Sequence, residues 1–324
     1  MRLITTGASG IRAQQLAMDI TADNLANVAT PGFKAGRLDF AETLAAAVRT
    51  ENAALPNGAL VREGFSVGSG VLVNGVGQDF RQGAICTTDN VWDMSIQGPG
   101  LFQVSLSDGE TAYTRAGSFK PNAHGQLVDE QGNLLAVRIP LETANITVDS
   151  SGKITGTIMG EQRTFGSVGS TGFDGQTPYV PTGPYTMDSS GRLRDGKGLL
   201  VPAMIVVPQQ ASAVSISKDG AISGFIEGKP QVFGQVTLAE FTDQEGLNRI
   251  GDNLAVLSAS SGKAEIGLPG QGMGEICSSS LEQSNVDMAV AMTDLIQIQR
   301  AYQMNSRMIQ DGDQMWEQAN SLRR

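Results

Sequence analysis

Few residues of this 324-residue chain have side chains and neighbours that suit catalysis. The single histidine, His124, lies in the stretch Pro-Asn-Ala-His-Gly, which is typical of a turn. No nucleophile is implied beside it, so we interpret it as a surface turn residue and not as a general base. The stretch from Gly270 to Gly274 neither follows a clear strand nor begins a periodic helix, so it does not predict a nucleotide-binding loop. The sequence predicts no catalytic residue, and we do not expect an enzyme.

Carboxylate-rich turns and two cysteines offer no recognisable metal site. Asp108 and Asp129 lie in turns that lack the twelve-residue ligand spacing of a calcium loop, so we interpret them as solvated. Two cysteines and one histidine are too few for a zinc cluster. Cys86 and Cys277 both follow Gly-x-Ile on strand-like stretches. We predict two buried thiols, with a disulfide as the alternative in an oxidising compartment. No metal or cofactor is predicted.

The composition predicts a folded, turn-rich body. Charged residues make up 17% of the chain and hydrophobic residues 40%, while glycine is frequent and aromatic residues are 5%. A net charge of −10 without a basic stripe argues against nucleic acid or an anionic membrane as partner. No apolar run approaches ~18 residues, and the N-terminal stretch lacks the apolar region of a signal peptide. We expect a cytoplasmic protein, or one exported by a route that needs no such signal.

The last forty residues, roughly 284–324, predict one long helix with a continuous apolar seam. Apolar residues recur at every seventh position, and the residues three positions later are mostly small or apolar. The two rows are Met288, Leu295, Tyr302, Ile309 and Trp316, and Ala291, Ile298, Asn305, Gly312 and Ala319. A further row from Ala301 to Leu322 widens the apolar face, which indicates partners on two sides. Packing on its own domain is the alternative. We interpret Ser284, with Asp287 three residues later, as the N-cap.

The first thirty residues repeat this pattern more weakly. Ile4, Ile11, Met18 and Leu25 recur every seven residues, which predicts a helix from about residue 6 to residue 28. The stretch Thr-Pro-Gly that follows should end it, because proline restricts the residue before it and glycine permits a turn. Each terminal helix needs its apolar face to be packed. We therefore predict that the two helices meet.

Between the helices, the sequence predicts an antiparallel β domain. Short alternating runs are separated by turn dipeptides such as Asp-Gly and Ser-Gly from about residue 70 to residue 241. Residues 119–168 resemble residues 185–236, because apolar positions and turn glycines recur in one order. Gly125 corresponds to Gly191, and Gly132 to Gly198. This pattern predicts an internal repeat, joined through the loop 169–183.

Four stretches resemble the bacterial flagellar rod and hook protein family, in the order of that family. They are NLANVATPGFKAGRLDF (24–40), FRQGAICTTDNVWDMSIQGPGLFQV (80–104), TAYTRAGSFKPNAHGQLVD (111–129) and SNVDMAVAMTDLIQIQRAYQMNSRMIQ (284–310). The resemblance implies a structural subunit that polymerises helically with many copies of itself in the basal body, across the periplasm. It also implies contacts with other rod proteins, the hook protein and surrounding ring proteins, and type III export without a cleaved signal. It implies neither nucleic-acid binding nor membrane insertion.

Within that family, the polar segment 46–70 favours the distal rod, where such a stretch would bridge neighbouring subunits. The proximal rod and the hook are the alternatives, and a secreted β-rich adhesin is a less favoured one. The resemblance implies only one of the repeated β units, so this chain would carry an extra copy. We expect a rigid hollow drive shaft that transmits torque and passes exported subunits.

The seams and the resemblance together predict an assembly interface. Its residues are Ile11, Met18, Asn24, Leu25, Asn27, Pro31, Gly32, Phe33, Lys34, Ser284, Asn285, Met288, Leu295, Ile298, Gln299, Arg300, Tyr302, Asn305, Ile309 and Trp316. The two asparagines near the first helix end should bond exposed backbone groups or a neighbour's backbone, and Phe33 should anchor the turned chain. Asp19 and Asp23 are candidate ion-pair partners for Arg300 or Arg307, although two solvated faces are nearly as compatible with the pattern.

The predicted fold class is α+β, with long N- and C-terminal helices in a coiled-coil-like bundle and a mainly antiparallel β domain with an internal repeat. The predicted divisions are residues 1–35 for the first helix, 36–75 for an extended linking stretch, 76–265 for the β domain, and 266–324 for a linker and the C-terminal helix.

Overall fold

The computed structural model describes residues 2–42, 46–47, 66–67, 70–149, 151–168, 172–174, 177–179, 185–188 and 190–321. The chain forms two compact units. Unit 1 consists of Met1–Val28, Ala35–Asp79 and Val286–Arg324, and unit 2 consists of Ala29–Lys34 and Phe80–Asn285. This division differs from the predicted one in three places, because the loop 29–34 and residues 266–285 belong with the β-rich unit and residues 76–79 belong with unit 1.

Unit 1 contains both helices, α1 (Arg2–Ala26) and α2 (Met288–Ser321). The predicted α+β class with two terminal helices is confirmed. The predicted cap of α2 is wrong, because the helix begins one turn later than Ser284. The Asp287 side-chain oxygen Oδ1 accepts hydrogen bonds from the backbone N–H groups of Ala289 (2.8 Å) and Val290 (3.2 Å). These are the second and third residues of the helix, so Asp287 is the N-cap.

The strands of unit 1 form two-stranded ribbons. They are β1 (Gly36–Glu42), β2 (Ala46–Ala47), β3 (Ser66–Val67) and β4 (Val71–Gln78). β1 pairs antiparallel with β4, with a bulge between Asp39 and Phe40, and β2 pairs with β3. The predicted linking stretch 36–75 therefore includes a paired strand at each end. Most of the predicted bridging segment 46–70 lies outside the described residues.

Unit 2 consists of short antiparallel strands. They are β5 (Ile85–Thr87), β6 (Met94–Gln97), β7 (Phe102–Ser105), β8 (Thr111–Thr114), β9 (Lys120–Pro121), β10 (Leu127–Val128), β11 (Leu134–Leu135), β12 (Ala144–Val148), β13 (Lys153–Ile158), β14 (Glu161–Val168), β15 (Gly172–Asp174), β16 (Thr177–Tyr179), β17 (Thr186–Met187), β18 (Leu193–Arg194), β19 (Leu200–Val201), β20 (Ala203–Met204), β21 (Ser212–Ile216), β22 (Ala221–Ile226), β23 (Lys229–Gln235), β24 (Leu238–Glu240), β25 (Asn248–Gly251), β26 (Leu254–Val256), β27 (Glu265–Gly267), β28 (Glu275–Ser278) and β29 (Ser280–Glu282). The largest described sheet has the order β25-β26-β8-β7-β11-β10-β9.

Two meanders of three strands, β12-β13-β14 and β21-β22-β23, have the same pairing pattern. In the first, Ile154 pairs with Val148 and Gly166, and the ladder shifts by one residue directly after Ile154. In the second, Ile222 pairs with Ile216 and Gly234, and the same shift follows Ile222. In β13 the buried side chains alternate with less buried ones, as a strand with one face on a core requires.

Six turns of unit 2 share one hydrogen-bonding pattern. The side-chain oxygen of the first residue accepts a hydrogen bond from the backbone N–H four residues later, and the fourth residue is a glycine with positive φ. The first residues are Asn122, Asp129, Asp149, Asp188, Asp195 and Ser217. The predicted turn at His124 is the first of these, and its backbone N–H also bonds Asn122. The Asp129 carboxylate accepts hydrogen bonds from two backbone N–H groups of the same turn, those of Gln131 and Asn133.

The two cysteines lie on strands, as predicted, but they are not both buried. Cys86 on β5 is exposed, Cys277 on β28 is half-buried, and both are free thiols. Within the described residues β5 pairs with β29 alone, in a two-stranded ribbon, and the Cys86 side chain on it is exposed. The prediction of two buried thiols is therefore wrong.

Candidate assembly site

The loop 29–34, which contains the Thr-Pro-Gly-Phe-Lys stretch, is anchored in unit 2 by backbone bonds. The Gly32 N–H donates to the carbonyl oxygen of Glu282 at 2.7 Å. The side-chain amide of Asn253 donates to the Pro31 carbonyl at 3.1 Å. Phe33 is buried, and the guanidinium of Arg249 lies 5.6 Å from its ring centroid. The predicted anchoring role of Phe33 thus has a structural basis within unit 2.

The backbone conformation at position 32 requires glycine. Its φ is +70°, a region that residues with a Cβ rarely adopt. A Cβ at this position would lie 2.7 Å from the Cα of Ala116 and 2.7 Å from the carbonyl carbon of Arg115. Both neighbours are backbone atoms, so they cannot move aside as a side chain would.

A buried ion network holds the end of the loop. Lys34 Nζ lies 2.6 Å from Glu282 Oε1, and Arg115 Nη1 lies 3.3 Å from Glu282 Oε2. The three side chains are 4%, 0% and 5% exposed for Lys34, Glu282 and Arg115. Both carboxylate oxygens are therefore paired with cations away from water.

Further hydrogen bonds satisfy other groups of this network, whereas Arg115 Nε is buried without a partner among the described residues. Lys34 Nζ donates to the Arg81 carbonyl at 2.7 Å, and the Gly83 N–H donates to Glu282 Oε1 at 2.9 Å. Arg115 Nη2 donates to the Gly98 carbonyl at 2.8 Å. Burial lowers the pKa of Arg115, and the Glu282 carboxylate opposes that shift. Such additional hydrogen bonds offset part of the cost of taking the three ions out of water.

Sequence reasoning missed Arg115 and Glu282. Glu282 follows Arg115 by 167 residues, and no periodic pattern links them. The available signal was a charged residue in or next to a strand: Arg115 directly follows the mostly buried strand β8, and Glu282 ends β29, two residues before Ser284. Asn285 is tied to the same region, since its side-chain amide donates to the Arg81 carbonyl at 3.1 Å.

In unit 1, α1 and α2 pack against each other through small residues of α1. A Cβ at Gly7 would lie 2.9 Å from Ile309 Cγ1, and a Cβ at Gly10 would lie 2.8 Å from Asn305 Nδ2. Residues later in α1 thus contact residues earlier in α2, so the two helices are antiparallel. Ala13 and Ala17 continue the buried row of α1. The predicted row of Ile11, Met18 and Leu25 is only half-buried.

On α2, the predicted seam is covered over its middle. Leu295, Ile298, Tyr302, Asn305 and Ile309 are half-buried. At the two ends of the seam, Met288 and Trp316 are about half exposed, at 48% and 49%. Gln299 and Arg300 are also exposed. Of the predicted C-terminal residues, the structure thus covers the five central seam residues and leaves Met288, Gln299, Arg300 and Trp316 exposed, while Ser284 and Asn285 are half-buried ahead of the helix.

The asparagines near the end of α1 bond as predicted, to local groups. Asn24 forms a reciprocal pair with Gly36: its amide donates to the Gly36 carbonyl at 2.9 Å, and its oxygen accepts from the Gly36 N–H at 2.7 Å. Asn27 donates to the carbonyl and carboxylate oxygens of Asp23, both at 3.0 Å. Among the described residues, no ion pair joins Asp19 or Asp23 to Arg300 or Arg307, so that pairing within one chain is not found.

The close helix contact gives a testable expectation. Replacing Gly7 by valine should weaken the α1–α2 pair by roughly 1–3 kcal/mol, because the new side chain would overlap Ile309. This loss should appear although valine favours a helix more than glycine does. Hydrogen exchange followed by mass spectrometry should detect faster exchange in both helices. Ala22→Val, at an exposed position of α1, is the control. Equal exchange in the two variants would contradict the packing described here.

The described residues define a structural protein with two parts. One is a β-rich unit that holds the loop 29–34 through a buried ion network, and the other is a unit of paired terminal helices. Within the described ranges, no three metal-ligating side chains are grouped to hold an ion. None of the described helices has the length and apolarity to cross a membrane.

Comparisons with known proteins identify the family. The model of the flagellar hook protein FlgE/F/G D1 domain matches residues 95–156 and 167–224. The models of the flagella basal body rod protein and of the flagellar basal body rod FlgEFG protein C-terminal match residues 4–34 and 278–322. The chain is 33% identical over 327 residues to the flagellar basal-body rod protein FlgG of Caulobacter vibrioides, with 100% of each chain covered.

Two further relatives extend this comparison. The FlgG of Borreliella burgdorferi is 31% identical, with 100% of this chain and 99% of that protein covered. The flagellar hook protein FlgE of Brucella suis is 27% identical, with 99% of each covered. The chain belongs to the flagellar rod and hook protein family. Both rod relatives carry the name FlgG.

Proposed function

We propose that this chain is a structural subunit of the distal rod of the flagellar basal body. It polymerises helically into a rigid, hollow drive shaft that transmits torque and passes exported subunits. Support comes from its likeness to two rod proteins named FlgG along almost their whole length. The proximal rod and the hook are the alternatives, and the hook relative is the more distant of the three compared, at 27% identity.

The observation that carries polymerisation is a second apolar face on α2. Met304 and Met315 are 68% and 66% exposed, and Met308 is 41% exposed. Their spacing of four and seven residues puts them on one side of the helix, apart from the seam that faces α1. We call Met304, Met308 and Met315 the methionine stripe. Burying such a stripe is favourable by about 25 cal/mol per Å² of apolar surface.

Neighbouring copies would cover this stripe in a coiled-coil-like bundle of terminal helices. A head-to-tail contact whose rotation does not close generates a helical filament, which is the geometry of a rod. The resemblance to the family supports export through the type III apparatus, assembly across the periplasm, and contacts with other rod proteins, the hook protein and ring proteins. Segment 46–70 would bridge subunits.

We also propose that residues 119–168 and 185–236 are copies of one β unit. The equal registers of β12-β13-β14 and β21-β22-β23, the six turns of one pattern, and the match of one domain model over two ranges support this. β14 and β23 lie beside each other, so the two copies pack together. An added copy would enlarge the β domain.

Removing residues 315–324 tests the proposed function. We expect the truncated protein to be absent from basal bodies isolated from a strain without its own copy, because Met315 and Trp316 would be lost from the bundle. Unit 2 should keep its thermal transition, since none of its residues is removed. Incorporation of the truncated protein at the normal level would overturn the proposal.

A triple substitution in the methionine stripe tests the same face without truncation. Met304→Glu, Met308→Glu and Met315→Glu together should prevent incorporation, because three carboxylates cannot be buried in an apolar contact. The matched control is Gln303→Glu, Gln310→Glu and Gln314→Glu, which adds the same charge at exposed positions of α2. A larger defect in the control than in the stripe variant would contradict the assignment of the face.

A further inference from the structure

Unit 2 has an open cleft of about 1430 Å³ that rod assembly does not explain. Thr111, Tyr113 and Arg138 line it, and so do the exposed side chains of Leu141 and Met159. Pockets for a single small molecule are usually about 300–1,000 Å³. The cleft is therefore large enough for an extended peptide, and its exposed apolar side chains suit contact with apolar residues of such a peptide.

Arg138 lies in this cleft without a carboxylate partner. It is 7% exposed, and its Nη1 donates to the Ser190 carbonyl at 3.1 Å, while Nη2 donates to Thr111 Oγ1. Among the described residues, no carboxylate lies within ion-pair distance of its guanidinium. The nearby Asp188 carboxylate pairs instead with Arg192 at 2.9 Å. A buried cation without a counter-ion is costly, and a guanidinium has five N–H donors in all.

Tyr113 supplies a second polar group that lacks a partner. Its side chain is 1% exposed, and its hydroxyl is buried without a hydrogen-bond partner in the described part of the chain. Tyr113 is two residues from Thr111 on β8, so the two side chains lie on the same face of the strand. Burial raises the pKa of Tyr113, so the hydroxyl keeps its proton and can donate it in a hydrogen bond.

We propose that this cleft binds a carboxylate carried by an extended acidic peptide, with Arg138 as its counter-ion and the Tyr113 hydroxyl as a second donor. Leu141 and Met159 would contact apolar side chains of the same peptide. The lining holds three acidic side chains (Glu110, Glu142 and Glu265) and three basic ones (Arg138, Arg192 and Lys263), so the charges of the cleft balance and a ligand with one negative charge is favoured over a dianion. The proposal assigns a partner of stated chemistry and does not depend on rod assembly.

Fluorescence anisotropy on the full-length protein tests this proposal. The probe is a labelled peptide with one glutamate flanked by leucines, and its counterpart has glutamine in place of the glutamate. We expect the glutamate peptide to bind about tenfold more tightly, because charge-assisted hydrogen bonds are roughly twice as strong as neutral ones. Equal binding of the two peptides, or displacement by phosphate at the same concentration as by the unlabelled peptide, would overturn the proposal.

Tyr113→Phe separates binding from folding. The hydroxyl has no partner in the described structure, so its removal should leave the thermal transition unchanged or raise it. The affinity for the glutamate peptide should fall by about three- to tenfold, as expected for one lost hydrogen bond. Lys218→Gln, at a position 82% exposed and absent from the cleft lining, should change neither quantity. An unchanged affinity in Tyr113→Phe would count against the site.

Discussion

Glu282→Gln should destabilise unit 2 by about 3–5 kcal/mol, the cost of leaving buried charges unpaired. Glutamine has almost the same shape, so packing is kept and only the charge is removed. Lys34 and Arg115 would then be buried cations facing a neutral amide. Urea denaturation of the full-length protein, followed by a signal from unit 2, measures the change.

Glu275→Gln is the matched control for this experiment. Glu275 also forms an ion pair, with Lys218 at 3.5 Å, but both side chains are more than half exposed. Exposed pairs contribute about 0–1 kcal/mol, so the control should change little. If Glu282→Gln lowered the free energy of unfolding by less than about 1 kcal/mol, the ion network would not be what holds the loop 29–34.

Gly32→Ala should have a similarly large effect, about 3 kcal/mol or more. Alanine would have to adopt the left-handed conformation of this position, which costs roughly 1–2 kcal/mol. Its Cβ would also overlap the backbone of Arg115 and Ala116. The second cost arises because the loop must move away, which breaks the bond from the Gly32 N–H to the Glu282 carbonyl. Thermal unfolding of unit 2 and swimming of the mutant strain are the measurements.

A second glycine isolates the steric part of this prediction. Gly132 has φ +90°, and a Cβ there would meet nothing within 4 Å. Gly132→Ala should therefore show only the conformational cost of roughly 1–2 kcal/mol. If the two alanine variants were equally stable, contact with the backbone at Ala116 would be irrelevant, and the close approach of the loop would be wrong.

The parts that could be predicted from sequence depend on local chemistry. Periodicity identified α2 and the side of it that Leu295, Tyr302 and Ile309 occupy, because apolar spacing reports a packed helix face. The turn glycines Gly125, Gly132, Gly191 and Gly198 indicate hairpins of unit 2, since positive φ selects glycine. The sequence does not separate Ser284 from Asp287 as the cap, because serine and aspartate both suit that position, and the backbone hydrogen bonds to Asp287 identify it.

The remaining parts depend on contacts that leave no local trace. Gly7 and Gly10 form the close side of α1, yet a search for apolar recurrence passes over glycine and selects Ile11 and Met18 instead. The pairing of Arg115 with Glu282 joins residues 167 positions apart. The unpartnered Tyr113 hydroxyl is defined by what surrounds it in space. Each of these required the fold before it could be recognised.

The chain passes between its two units at four places, after residues 28, 34, 79 and 285. A simple insertion of one unit into another needs only two crossings. The additional pair results from the short loop 29–34, which enters unit 2 and leaves it again. A twisting load applied to one unit is thus shared by four covalent connections, and covalent bonds do not slip as surface contacts do. In a subunit of a rotating shaft, these four connections keep the two units joined under load.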